Sequence, residues 1–223
     1  IMFEDYSNYQ MSLRFLAGSM GLPFMATKSG LETDLVKLEG FPSYERGKAK
    51  IPSKKLDIIQ NPFSQDEDRV ILLPALNPDV CILHAQYVGT DGTVRIKGLT
   101  FADLEQAKAS NHVIISCEEI IPKEVIRQDP DQNSLPPFFI DAVVQEPYSA
   151  HPTACHYFYD YDPSHLRLYQ NVAHDDEAFE KYLNEWVYDI PDQATYLQKV
   201  GLKDLLRIKA NSCIGYARNL DRR

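Results

Sequence analysis

The stretch His112-Val113-Ile114-Ile115-Ser116-Cys117-Glu118-Glu119 decides the fold class. A largely apolar run without alternation ends in two acids, which reads as a strand covered on both faces. Val80-Cys81-Ile82-Leu83-His84-Ala85-Gln86 is a second run of this kind, residues 69–73 are another, and residues 138–144 supply a fourth. Asp91-Gly92 is a turn signal before the alternating Val94 and Ile96, and residues 101–109 carry helical spacing. Strands alternating with helices predict an α/β fold, a mostly parallel sheet flanked by helices, with right-handed crossovers where strands are parallel.

Before these strands, Ser7 and Gln10 have capping-box spacing, Leu13, Leu16 and Met20 follow, and Gly21 then Pro23 end the helix. Residues 24–30 are extended and finish in Lys28-Ser29-Gly30, a small, cationic turn rich in donors. From residue 32 to 68 the sequence is polar and broken by Gly40, Pro42, Gly47, Pro52 and Pro62, which predicts an excursion or functional loop. Residues 164–172, 175–187 and 193–206 show apolar spacing of three and four, predicting a helical C-terminal tail.

A chain of 223 residues with 44% hydrophobic content suits one large domain over residues 1–223, or a domain with an appendage. The net charge is −9 and the Lys and Arg residues are dispersed, so no nucleic-acid partner is expected; phosphate contacts need clustered cations. The longest apolar stretches, residues 70–76 and 80–83, fall short of the ~18–20 residues a membrane span needs. No basic segment followed by an apolar one opens the chain, and Cys81, Cys117, Cys155 and Cys213 are scattered. That usage points to reduced, cytoplasmic thiols. The first residue is Ile1 rather than Met, and a helical pattern follows at once, so a piece of a longer polypeptide is expected.

Several residues invite a chemical reading. Glu118-Glu119 ends a buried strand, where open α/β sheets place ligands, and a paired carboxylate there could do acid/base or nucleophilic work. The rival reading is a helix cap or a pairing with a neighbouring subunit. His84 and Gln86 share one strand face and could hydrogen-bond an acyl carboxylate or carbonyl; a buried, satisfied histidine is the alternative. His151, Cys155 and His156 form H-x3-C-H, but Pro152 interrupts and no second ligand pair exists, so no metal is expected. The aromatic run 157–161 reads as packing. Lys28-Ser29-Gly30 could meet a phosphate or carboxylate through backbone N–H groups and one cation. There is no G-x-G-x-x-G, no P-loop and no G-x-S-x-G.

Gly21-Leu22-Pro23-Phe24, Ser29-Gly30-Leu31, Asn61-Pro62-Phe63 and the run from Pro78 to Gln86 resemble α subunits of family I coenzyme A transferases of the glutaconate type. So do Asp91-Gly92-Thr93-Val94-Arg95-Ile96, Cys117-Glu118-Glu119-Ile120-Ile121, Asp141-Ala142-Val143-Val144 and Pro147-Tyr148-Ser149-Ala150-His151-Pro152. Tyr159-Asp160-Tyr161-Asp162 and Glu185-Trp186-Val187 continue the likeness. The resemblance implies a CoA-transferase (NagB/RpiA-like) fold and a two-subunit enzyme, α2β2 or larger, with its active site where α and β meet. Such enzymes move CoA from an acyl-CoA to a free carboxylate through an anhydride and a glutamyl-CoA thioester, with no cofactor beyond CoA as substrate. The glutamate belongs to the β subunit, so no catalytic residue is expected here, in keeping with the lack of an S-E-N-G-type motif. The family's glycine-rich segment of the α subunit precedes the point where this chain opens.

Substrate-binding residues on this reading are Asn8, Lys28, Ser29, Gly30, His84, Gln86, Glu118, Glu119 and His151. Relatives on the same scaffold are hydrolases that open steroid-derived rings on CoA thioesters, and decarboxylases of glutaconyl-type esters. The hydrolases place an acid on the first helix and an arginine before the Ser/Gly turn, at positions matching Asn8 and Lys28. An amide cannot act as the base, which favours the transferase, while Asp5 nearby keeps the hydrolase alternative open. A non-catalytic acyl-CoA-binding subunit is the third reading.

Overall fold

The computed structural model describes residues 2–38, 40–48, 51–218 and 220. In chain order the elements are α1 (Asn8–Ser19), β1 (Phe24–Thr27), β2 (Asp57–Gln60), β3 (Arg69–Pro74), β4 (Val80–Gly89) and β5 (Val94–Arg95). Then come α2 (Asp103–Ala109), β6 (His112–Ile121), α3 (Lys123–Gln128) and β7 (Ala142–Gln145). The tail is α4 (Pro163–Val172), α5 (Asp176–Leu183), α6 (Gln193–Val200) and α7 (Leu202–Ile208). Two compact units form: Ile1–Cys81 with Thr100–Val113, and Ile82–Leu99 with Ile114–Arg223.

In the first unit the capping box forms as expected: Ser7 Oγ accepts Gln10 N–H at 3.2 Å, and Gln10 Oε1 accepts Ser7 N–H at 3.0 Å. The face α1 buries is Gln10, Arg14, Ala17 and Gly18 rather than the Leu13–Leu16–Met20 row, and Met20 is exposed. The polar members are satisfied locally, since Arg14 Nε donates to Pro74 O at 3.0 Å and the guanidinium lies 4.2 Å over the Tyr6 ring. Gly18 is small for a packing reason: a Cβ there would sit 2.4 Å from Leu76 O and 3.1 Å from Ala109 Cβ on α2. A three-stranded sheet, β1-β3-β2, packs alongside, with Ile71 and Leu73 of the central strand fully buried. Both its pairings are antiparallel. Its third strand, β2, lies inside residues 32–68, read above as irregular; four residues with one half-buried position carry too little pattern to show.

The second unit carries the sheet β5-β4-β6-β7. β4 and β5 pair antiparallel, Tyr87 opposite Arg95, because the Asp91-Gly92 turn joins them too tightly for a crossover. β6 and β7 pair parallel, Ile114 opposite Ala142, and the chain between them is long enough to cross over through α3. The α/β reading therefore holds, with parallel pairing at β6–β7 and antiparallel pairing at β4–β5. Continuous coverage of the strands is not complete either: Ile82 on β4 is 70% exposed in this chain. The predicted strand over 138–144 begins later, because Pro136 and Pro137 turn Phe138 and Phe139 into a short 3-10 segment. In the tail, helix 193–206 divides at Gly201, φ +89°, into α6 and α7. Cys155, Tyr159 and Ile208 form a small core there. No helix among the described residues is long and apolar enough to cross a membrane.

Candidate active site

The C-terminal half of β6 and the loop after β7 build a hydrogen-bonded group in the second unit. Glu118 points inward and is 3% exposed. Glu119 is exposed, because successive strand residues face opposite ways. The adjacent carboxylates therefore do not share a site. Glu146 N–H donates to Cys117 O at 2.9 Å and steers the chain back over the end of β6. Tyr148, in the left-handed region with φ 63°, then aims its N–H at both Glu118 oxygens, at 3.0 and 3.1 Å. A non-glycine residue held there costs of order 1 kcal/mol, which the charge-assisted bond offsets.

His84, on β4, completes the group. Its Nε2 lies 2.7 Å from Glu118 Oε1, and its Nδ1 lies 2.9 Å from both Ser116 Oγ and Ser149 Oγ. An ionised carboxylate can only accept, so the network assigns the ring hydrogen to Nε2 and leaves Nδ1 as an acceptor of one hydroxyl. Ser116 Oγ also faces Leu83 O at 3.5 Å, an outlet for its own hydrogen. Cys155 Sγ falls within the same cluster, its atoms and those of His84 and Glu118 all within 4.8 Å. The trio is a possible cation donor set, but His84 and Glu118 are bonded to each other, and burial with the Glu118 charge pushes the Cys155 thiol far up. The same causes push Cys117 up to about 11.

Gln86 is committed elsewhere: its amide nitrogen donates to Lys97 O and His156 O, each at 3.0 Å, and its oxygen accepts Lys97 N–H at 2.8 Å. His151 is also apart from the His84 group. Its Nδ1 meets Tyr196 OH at 2.6 Å and its Nε2 meets Asp162 at 3.3 Å, beside a cavity of about 390 Å³ that Tyr148, Ser149, His165, Tyr182 and Trp186 help to line. Burial lowers the pKa of His151 against the opposing pull of Asp162, and burial lowers that of His165 too.

In the first unit, Gln10 Nε2 ties the Lys28-Ser29-Gly30 turn to α1 by donating to Ser29 O at 3.1 Å. Gly30 has φ +93°, and a Cβ there would lie 2.6 Å from that amide nitrogen, so glycine is required twice over. Lys28 is exposed and pairs with Asp68 at 2.8 Å. Asn8 opens α1 with its side chain exposed, and its carbonyl accepts Ser12 Oγ–H at 3.1 Å. Residue-by-residue reading passed over Ser116, Tyr148 and Ser149, though Tyr148 and Ser149 lie in the Pro147–Pro152 stretch that carried the resemblance; the signal was a hydroxyl within the turn that follows β7.

The profile of the coenzyme A transferase family matches residues 1–146. The A-type subunit of glutaconate CoA-transferase from Acidaminococcus fermentans is 39% identical over 217 residues, covering 97% of this chain and 68% of that protein. The crystal structure of that transferase superposes with a TM-score of 0.91 at 38% identity over 98% of this chain, again 68% of the other. A decarboxylase, AibA/AibB, gives 0.60 at 28% identity, over 80% of this chain and 60% of the other. The chain thus spans about two thirds of the length of the glutaconate CoA-transferase subunit and less of the decarboxylase.

Proposed function

Because the chain belongs to the coenzyme A transferase family, we propose that it is the α subunit of a two-subunit transferase moving CoA between an acyl-CoA and a carboxylic acid, a glutaconate-like dicarboxylate. The 0.91 superposition over 98% of the chain carries this reading. Decarboxylation is the weaker alternative, resting on the looser likeness to the decarboxylase. The nucleophilic glutamate, on the β subunit, attacks the acyl-CoA carbonyl and releases CoA thiolate. The thiolate then returns to that glutamate as a thioester while the anhydride's carboxylate departs. Of the residues expected to bind, Asn8, Lys28, Ser29 and Gly30 in the first unit and His84, Glu118 and His151 in the second are proposed to meet or frame the substrates, whereas Gln86 and Glu119 are turned elsewhere, and no metal or further cofactor takes part. The protein works in the cytoplasm.

The test is co-expression with the β subunit of its own genome, then incubation with glutaconyl-CoA and acetate. The expected result is CoA transfer by the pair only, with the CoA-bearing adduct mapped by mass to a β-subunit glutamate. A CoA-bearing adduct on Glu118 or Glu119, or transfer by this chain alone, would overturn the assignment.

Lys28 sets the preference for a second carboxylate on this reading. Its present partner Asp68 is a surface pairing, which contributes little, and a substrate carboxylate held by Ser29 and the Gly30 turn can displace it. A charge-assisted bond contributes roughly 1.5–3 kcal/mol, so Lys28→Ala should raise KM for a dicarboxylic acyl-CoA about 10- to 100-fold. The effect on a neutral acyl-CoA of equal length should be smaller. Equal losses on both, or none, remove Lys28 from the site.

A further inference from the structure

We propose that Ser149, His84 and Glu118 form a nucleophilic relay that lets Ser149 Oγ accept apolar acyl groups from thioesters and other activated esters. The step runs within this chain and is separate from any glutamate on the partner. The assignment of thioesters as substrates rests on the transferase reading; the serine's reactivity does not. Three observations carry it. The side chains stand in line, Ser149 Oγ to His84 Nδ1 at 2.9 Å and His84 Nε2 to Glu118 Oε1 at 2.7 Å, the spacing of a nucleophile, its base and the carboxylate that orients the base. Glu118 is held by the Tyr148 N–H on both oxygens, so its position and that of the ring are set before any ligand arrives. Ser149 is exposed and borders the aromatic cavity, while the other two members are buried or half-buried behind it. The lack of G-x-S-x-G does not bear against this, since such relays are defined by geometry and roles rather than by motif.

The cavity states the substrate class. It is about 390 Å³ in volume, and Tyr148, His151, His165, Tyr182, Trp186 and Tyr196 are among its lining residues, with Val187 and Ile190 adding aliphatic surface. Its one carboxylate, Asp192, is already the cap of α6, accepting Thr195 N–H at 2.8 Å, and would repel an acidic acyl chain. A flat or branched apolar acyl group fits, stacked on aromatic faces. In the reaction Ser149 Oγ attacks the carbonyl carbon as its proton passes to Nδ1, and Glu118 stabilises the imidazolium. Collapse breaks the C–S bond, and the thiolate leaves with the proton from Nδ1, giving an acyl ester on Ser149. Water then loses its proton to Nδ1, attacks the ester, and Oγ recovers that proton. The sum is thioester plus water to acid plus thiol.

Turnover is slow by construction. The amides nearest the serine are engaged, Ser149 N–H with Glu146 O, Ala150 N–H with Tyr159 Oη and His151 N–H with Tyr148 O. A missing oxyanion donor costs about 10²–10³ in kcat. The readout is therefore stoichiometric modification. The full chain treated with a fluorophosphonate, and separately with p-nitrophenyl phenylacetate, should gain one adduct, mapped to Ser149, and lose it in Ser149→Ala. His84→Gln should slow labelling at least about 100-fold, and Glu118→Gln should slow it as well. Ser116→Ala should leave it intact or quicken it, because Ser116 competes for Nδ1. An unlabelled Ser149 in the folded chain, or labelling at the same rate in folded His84→Gln, overturns the proposal. Should Glu118→Gln fail to fold, His84→Gln and the two serine variants decide it alone.

Discussion

Arg95→Ala is expected to lower the stability of the second unit by about 3–5 kcal/mol and its unfolding midpoint by roughly 10 °C. Arg95 is 5% exposed, and its hydrogen-bond partners are neutral oxygens. Nε donates to Asn133 Oδ1 at 2.9 Å, and Nη2 faces the carbonyls of Ile126 at 2.8 Å, Asp129 at 2.7 Å and Val125 at 3.2 Å. Those carbonyls belong to the end of α3 and the residue after it, where a helix leaves its acceptors without intrahelical partners and carries partial negative charge. The guanidinium thus pins α3 and the following loop to β5, and the fork geometry lets one side chain serve several acceptors. Truncation strands buried acceptors and opens a void together. Arg95→Lys should recover only part of the loss, since an ammonium is a point donor and cannot span the set. A loss below about 1 kcal/mol in chemical denaturation of Arg95→Ala would show that water replaces the side chain freely and would sink the argument.

That arrangement also marks where reading by sequence stops. Short-range signals were legible: Ser7 and Gln10 cap each other three residues apart, Asp91-Gly92 turns β4 into β5, and the apolar run at residues 112–117 is the strand that delivers Glu118. Each depends on neighbours in the chain. Arg95 gave no such sign, because its acceptors lie 30 to 38 residues on. His84 finds Glu118 34 residues away and Ser149 65 away, and Lys28 pairs with Asp68 rather than with the nearer Glu32 or Asp34. Glu118 and Glu119 illustrate the opposite limit. Adjacency in sequence suggested one paired site, and the pleat of the strand separates them. Contacts of this kind are set by how strands register, which single-sequence periodicity does not encode.

Asp162→Ala should cost about 2–4 kcal/mol and should remove part of the acid sensitivity of the tail. Asp162 caps α4, its Oδ1 accepting Ser164 N–H at 2.9 Å and His165 N–H at 3.2 Å, and Arg207 Nη2 adds a bond at 3.0 Å. Its Oδ2 meets His151 Nε2 at 3.3 Å. Loss of an N-cap costs about 1 kcal/mol, and a buried donor left without its acceptor adds about 1–3 kcal/mol. Asp162→Asn keeps the cap and should lose only the smaller, ionic share. The pH dependence has a definite sign. Burial would raise the pKa of Asp162, but the two backbone N–H groups and His151 outweigh it and hold the carboxyl below its usual value. Its contribution is present above about pH 4 and is lost as pH falls through the lower folded value. His151 and His165 are lowered by burial, so each takes a proton more readily when unfolded; their contribution is full above about pH 6.5 and is lost as pH falls below it. The groups facing them are Asp162, Asp204, Tyr182 and Tyr196, and none reverses that sign. Trp186, the single tryptophan, lies 4.5 Å from the His165 ring and reports the transition by fluorescence. The urea midpoint should therefore fall between pH 7.5 and 5.5 through the histidines and fall again below about pH 4 through Asp162. His165→Phe should flatten the upper step, and Asp162→Ala should shrink the lower one, leaving the share of Asp192, whose carboxyl is also held low by the Thr195 N–H it caps. A midpoint that rises as pH drops from 7.5 to 5.5 would mean that the histidines are charged in the folded tail, reversing the electrostatic account of this cluster.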